Sequence, residues 1–143
     1  RRITWIDKKQ FLCFLEEIDN LFVPHLSSKQ PLNCFCDKIL DLGNVLVVEV
    51  EQTIVGAICY YTNNKQNLLT YVSLVGVKTD YSGQRIATCL VREMILDASE
   101  QGMKVVGIHT NNTIALNLYL KCGFEIISSD NSIPTRFYLE RKL

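Results

Sequence analysis

The sequence predicts a mixed α/β (α+β) domain: a central sheet with helices on both faces. Three observations lead there. Apolar residues switch between helical spacing and β-branched runs along the chain. Three strand-like segments in the middle follow one another across short polar turns, which makes them an antiparallel meander. A strand–helix–strand passage from Leu68 to His109 then calls for parallel neighbours in the same sheet.

Arg2–Ile6 reads as a short first strand. Asp7 is a good N-cap, and Phe11, Leu12, Leu15 and Ile18 give helical spacing to about Leu21. Phe22–Ser28 is a break around Pro24. A second helix is expected from about Lys29 to Leu42, with Pro31 tolerated in its first turn and Gly43–Asn44 ending it. The meander strands are Val45–Val50, Thr53–Tyr61 and Leu68–Val77, with turns at Glu51–Gln52 and Asn63–Asn67. Beyond Gly83, Ile86, Leu90 and Met94 recur every fourth residue, as do Ala87, Val91 and Ile95. That is an amphipathic helix to about Gln101, stopped by Gly102. Val105–His109 is a strand and Asn112–Cys122 a helix stopped by Gly123. Phe124–Ser128 and Arg136–Arg141 are the last strands, joined through Asp130–Pro134.

The 143 residues make one ordinary domain, 1–143, and 48% of them are apolar, enough for a real core. Fifteen basic residues balance fifteen acidic ones. That balance argues against nucleic acid as the main partner, because phosphate binding rests on a positive excess. A local site for a small anion stays open. No apolar run approaches a membrane span, and no membrane partner or signal peptide is expected. The start at Arg1 without Met leads us to expect a few residues missing ahead of it. Cys13, Cys34, Cys36, Cys59, Cys89 and Cys122 are scattered, mostly in apolar stretches. We expect reduced, buried thiols in a cytoplasmic protein, with no metal, because no cysteine or histidine pair completes a zinc site.

The segment from Val77 to Thr88 joins a buried strand to a long helix. A helix's first turn carries N–H groups without internal partners, and its dipole adds partial positive charge, so Ser82, Gly83, Gln84, Arg85, Ile86, Ala87 and Thr88 could hold an anion. Gly83 lets the backbone turn tightly, Ala87 keeps one face open, Thr88 adds a hydroxyl and Arg85 a charge. One glycine in a strand-to-helix connection is a weak motif by itself.

A second segment runs from Asn112 to Phe124. Together the two stretches resemble the GNAT superfamily of N-acetyltransferases. That family has a Gln/Arg-x-x-Gly-x-Gly/Ala turn after its fourth strand and Asn-x-x-Ala-x-x-Leu/Phe-Tyr-x-x-x-Gly-Phe around its last helix. Asn112, Ala115, Leu118, Tyr119, Gly123 and Phe124 fit the second pattern at every defined position. In the first, Ser82 stands for Gln or Arg and Arg85 for the usual glycine, while Ala87 is an accepted variant. The order of elements resembles the family from end to end.

The resemblance implies a six- to seven-stranded mixed sheet, splayed at its fourth and fifth strands and flanked by four helices. It implies direct transfer of an acetyl group from acetyl-CoA, as co-substrate, to a primary amine. The pantetheine arm would fill the gap between Leu68–Val77 and Val105–His109, pairing with the main chain of Val75, Gly76 and Val77. Gly76 suits a bulge there, or merely makes room for a neighbour. Tyr119 would be the general acid that protonates the leaving thiolate. Asn112 would bond the arm or cap the last helix, and Ala115 lies beside it. Lys121 lies near the nucleotide end or is simply solvated.

The general base is open. Many family members carry a strand Glu where this chain has Ser73, which could order a water. His25, Glu49 and Asp80 are other candidates, and we expect a structural role for His109. Phe22, Pro24 and His25, with Tyr60 or Tyr61 opposite, would form the acceptor wall. The run Phe22–Ser28 also resembles a bacterial subgroup with a Phe-x-Pro-x-Leu-Ser signature, which suggests an amino-sugar acceptor. A monomer or homodimer is expected. The alternative is a CoA-binding regulatory or accessory domain without strong catalysis.

Overall fold

The computed structural model describes residues 8–22 and 24–143. The first predicted strand, Arg2–Ile6, and the Asp7 cap lie outside the described residues. Helix α1 (Lys8–Ile18) buries Phe11, Phe14, Leu15 and Ile18 along one stripe. Two short 3-10 turns, Asp19–Leu21 and Leu26–Ser28, follow it. Helix α2 (Leu32–Leu42) begins later than predicted: Pro31 stands at its N-cap in extended geometry, not inside its first turn. Proline disfavours the helical conformation in the residue before it, so Lys29 and Gln30 cannot open the helix.

Strands β1 (Asn44–Val50), β2 (Thr53–Asn64) and β3 (Leu69–Val77) form the antiparallel meander. Glu51 and Gln52 join the first two with positive φ at both residues, the geometry that matches strand twist in a two-residue hairpin. Helix α3 (Ile86–Glu100), strand β4 (Val105–Thr110), helix α4 (Thr113–Lys121) and strands β5 (Glu125–Ser129) and β6 (Phe137–Lys142) complete the fold. The sheet order is β1-β2-β3-β4-β6-β5, with β3 and β4 parallel. Four α-helices flank these six strands among the described residues.

Two apolar layers sandwich the sheet. On one side α1 and α2 pack onto Val45, Val47, Ile54, Ala57, Cys59 and Leu74. On the other, Leu90, Val91, Met94 and Ala98 of α3 and Tyr119 of α4 pack onto Ile58, Tyr60, Val72, Val106, Ile108 and Leu139. A polar string ties α3 to the meander. The Tyr60 hydroxyl donates to the Asp97 carboxylate, Gln101 donates to Asp97 at 2.8 Å, and Thr62 donates to Gln101 at 2.7 Å.

One irregularity decides where side chains point. Cys59 pairs with Leu74 and Tyr60 with Val72, so Ser73 is an extra residue in β3. Side chains alternate across a strand, and one inserted residue reverses every face beyond it. Tyr71 and Leu74 therefore share the α1/α2 side. The bulge expected at Gly76 is at Ser73 instead. Gly76 sits in register with Ala57 and makes room for a neighbour: a Cβ there would stand 2.5 Å from Ile18 Cδ1 and 3.5 Å from the Phe22 ring.

The six cysteines are free, as thiols. Only Cys36 and Cys59 are buried; Cys13, Cys34 and Cys89 are exposed, which corrects the expectation of buried thiols. Amphipathic α1, α2 and α3 place one side of each helix in water, and those three residues lie there. No helix among the described residues is long and apolar enough to cross a membrane.

Gly76→Val should cost about 1–3 kcal/mol, because Ile18 is fully buried and has nowhere to retreat. Denaturant unfolding checks this as a lowered midpoint at unchanged slope.

Candidate active site

Strands β3 and β4 pair over only four residues, Leu69–Val72 against Val105–Ile108. From Ser73 to Val77 the β4-facing edge of β3 has no partner strand, while β4 stays paired with β6 along its whole length. The sheet opens into a cleft of about 800 Å³, floored by residues Tyr71 to Val77 and Ile108 to Asn112. The cleft passes through the sheet. Ala87, Ala115, Leu118 and Tyr119 line its α3/α4 side; Leu21, Phe22, Pro24, Leu26, Lys29 and residues 132–134 and 136 line it elsewhere.

The α3 end of this cleft carries free amides. The helix ladder begins with Cys89 N–H to the Arg85 carbonyl, 3.0 Å. The N–H groups of Ile86, Ala87 and Thr88 precede that bond, so they are available to an anion beside the helix dipole. Two residues set the turn. Gly83 has φ +79° with open space around it, and Arg85, the N-cap, has φ +61° in the left-handed region. Arginine accepts a conformation there that suits glycine, at a cost of about 1–2 kcal/mol. Ser82 spends its hydroxyl on the Thr79 carbonyl at 2.9 Å. A groove between α3 and α4 continues from this turn, lined by Arg85, Thr88, Arg92 and Lys121. Arg92 was not singled out in the sequence; a single arginine on a helix face carries no signal until α4 is seen packed beside it.

The Asn112–Phe124 segment folds as a compact corner. Asn112 caps α4, its Oδ1 accepting from Ala115 N–H at 3.1 Å, so the capping role is the one observed. Gly123 ends the helix at φ +92°, and Phe124 N–H returns to the Tyr119 carbonyl at 3.0 Å. Phe124 then packs its ring on Tyr119, with centroids 5.8 Å apart. The corner thus holds Tyr119 on the cleft wall at 5% exposure. Burial, with a smaller push from Cys122, raises the Tyr119 phenol well above its ordinary range. It stays protonated across the neutral range, as a proton donor must.

The α1/α2 side of the cleft differs from expectation. Phe22, Pro24 and Ser73 are on its walls, with the Ser73 hydroxyl directed to the Cys59 carbonyl at 3.3 Å. His25 is not. It is exposed and caps the second 3-10 turn through its carbonyl, which accepts from Ser28. Tyr61 is not either: it packs with α1 and α2, and the Lys38 ammonium lies over its ring at 5.9 Å. Strand β2 is an inner strand, so its α1/α2 face is covered by those helices. Glu49 and Asp80 are likewise absent from the lining.

Tyr71, Arg136 and His109 stand there instead. The Tyr71 hydroxyl and His109 Nδ1 are 2.8 Å apart, and the His109 ring packs at a tilt of 39° against Tyr138, with centroids 4.7 Å apart. Partial burial and then the Arg136 charge lower the His109 pKa, with Asp130 opposing. Burial raises the Tyr71 phenol, against the pull of Arg136. No Asp, Glu or Cys lines this cleft among the described residues. Tyr71 escaped the sequence reading because the Ser73 bulge breaks the alternation that would have placed it.

Residues 41–126 match the family model described as an Acetyltransferase (GNAT) domain. No curated protein sequence matches the chain. An IAA acetyltransferase from Bacillus cereus superposes with a TM-score of 0.72 at 20% identity, covering 100% of this chain and 97% of that one. A PaiA N-acetyltransferase from Thermoplasma acidophilum in complex with coenzyme A gives 0.77 at 15% identity, covering 100% and 98%. An Elizabethkingia anophelis GNAT family acetyltransferase with acetyl-CoA bound gives 0.64 at 21% identity, covering 76% and 82%.

Arg85→Gly and Arg85→Ala remove the same charge but differ in left-handed freedom. The glycine variant should be the more stable by about 1 kcal/mol. Equal unfolding free energies for the two would contradict the geometry of the turn.

Proposed function

Because the chain belongs to the acetyltransferase (GNAT) family, we propose that it transfers an acetyl group from acetyl-CoA to a primary amine of a small molecule by direct attack. One observation carries the reading: the unpaired edge of β3 runs from the free amides of α3 to the Tyr119 hydroxyl along a single cleft.

The residues divide the work by chemistry. The amides of Ile86, Ala87 and Thr88 take the pyrophosphate, and Arg85, Arg92 and Lys121 outweigh Glu93 in the groove at the nucleotide end. The main chain of Val75, Gly76 and Val77 pairs with the amides of the pantetheine arm, as an added strand would. A β3 N–H polarises the thioester carbonyl, where negative charge develops during attack. Tyr119 gives its proton to the sulfur as the C–S bond breaks. Phe22 and Pro24 bound the acceptor on the other side of the sheet.

With Lys29 and Arg136 on the walls and no carboxylate among the described lining residues, the cleft repels a polycation, so polyamines rank behind amino sugars and amino acids as acceptors. The Phe22–Ser28 run is what favours an amino sugar among these. The same lack of a carboxylate favours the second reading, a CoA-binding accessory domain with little turnover.

Acetyl-CoA at a hundredfold excess over its Kd should raise the unfolding temperature by about 5–10 °C. A thiol-release assay across amino sugars, amino acids and polyamines should find turnover. Tyr119→Phe should lower kcat about 10²-fold while leaving acetyl-CoA affinity unchanged. Binding without thiol release from any amine would select the accessory reading.

A further inference from the structure

The attacking amine must lose a proton, and the cleft offers few groups to take it. Among the described lining residues the titratable side chains are Lys29, Tyr71, His109, Tyr119 and Arg136. Lys29 and Arg136 are cations. Tyr119 lies on the α3/α4 side and serves the sulfur. What remains is Tyr71 with His109, joined at 2.8 Å on the opposite side of the sheet, where the acceptor enters.

We propose that Tyr71 and His109 form the proton-accepting pair for the acceptor amine, Tyr71 touching the amine and His109 holding the proton. The proposal rests on the acetyl-transfer reading above. The direction of the hydrogen bond follows from the surroundings. The Arg136 guanidinium has no acceptor and stands near the Tyr71 oxygen, so that oxygen turns its lone pairs toward Arg136 and its hydrogen toward His109. Nδ1 then accepts, and the neutral ring carries its own hydrogen on Nε2. As the nitrogen attacks the thioester carbon and the C–N bond forms, Tyr71 takes a proton from the nitrogen and passes its own to Nδ1. Tyr71 ends neutral and His109 ends as imidazolium, to be discharged to solvent. The C–S pair leaves with sulfur, which takes the Tyr119 proton, and Tyr119 is reprotonated from solvent.

The neighbourhood suits that cycle. Partial burial and then the charges of Arg136 and Lys29 disfavour the imidazolium at rest, while Asp130 from the loop before β6 opposes them. Asp130 is held by the N–H groups of Ser132 and Arg136 at 3.0 and 3.1 Å. On β6, Tyr138 packs at a tilt against the ring and donates to Glu140 at 2.7 Å, which leaves His109 positioned without competing for Nδ1.

The chain has two histidines, so a His25→Gln background leaves His109 alone to be read by nitrogen NMR. The pair predicts a neutral ring protonated on Nε2, with Nδ1 accepting, and a pKa below the ordinary histidine value. A ring protonated on Nδ1 in the resting protein would overturn it. Kinetics give the second measure, with two amines of different basicity drawn from the acceptor screen. The rising limb of kcat/KM with pH should contain one step that does not move between the amines and that disappears in His109→Asn. That variant and Tyr71→Phe should each lose about 10²-fold in kcat/KM at neutral pH with acetyl-CoA affinity unchanged. A His109→Asn profile identical to wild type would also overturn the pair. A wild type that binds acetyl-CoA yet acetylates no amine refutes the transfer reading instead, and the tautomer alone then decides whether the pair is built as proposed.

Discussion

The site exists because β4 keeps one neighbour strand along its full length and loses the other part-way. It pairs with β6 from Val105 to Thr110 but with β3 only from Val105 to Ile108. The extra residue at Ser73 falls where the second pairing ends. A bulge bends its strand and strengthens local twist, so Ser73 and the four residues beyond it leave the ladder with β4. Their polar backbone edge is left facing a cleft. Unpaired backbone groups next to an apolar core carry a cost unless something bonds them. A ligand that presents amides at strand spacing supplies those bonds.

The same bulge sorts the chemistry onto two sides. Beyond it, Val75 packs toward α3 while Leu74 and Gly76 face α1 and Ile18. Before it, Tyr71 faces the α1/α2 side, where the buried α1/α2 cluster takes in residues of β1, β2 and β3 but none of β4 or β6 among the described residues. His109, Tyr138 and Arg136 lie outside that cluster. Donor-side groups, the α3 amides and Tyr119, therefore lie across the sheet from the Tyr71–His109 pair. In the reaction we propose, a proton donor and a proton acceptor share one cleft and need such separation, because in direct contact they would neutralise each other's task.

Much of this is legible in the sequence. The meander, α3 and the α4 corner follow from local rules: positive φ at Gly123, a cap at Asn112, four-residue spacing from Ile86. The Asn112–Phe124 spacing names a family because each position has a geometric duty in one corner. What failed was non-local. Tyr61 looked available as a wall but lies on a strand that α1 and α2 cover. Gly76 looked like a bulge because glycine breaks strands, whereas its real constraint is Ile18 in a helix about sixty residues earlier. The contact between His109 and Tyr71 is also invisible in the sequence, because a parallel pairing across an intervening helix brings the two together. Arg85 was read as a departure from glycine, and the backbone there does adopt the conformation glycine would.

The central claim is that the open edge of β3 is where acetyl-CoA adds a strand. Amide hydrogen exchange with and without acetyl-CoA tests it most directly. The account predicts slowed exchange within Ser73–Val77 and at Ile86, Ala87 and Thr88, with β1 and β2 amides unchanged. Saturating acetyl-CoA with no added protection at the β3 edge, or protection confined to another face, would contradict it.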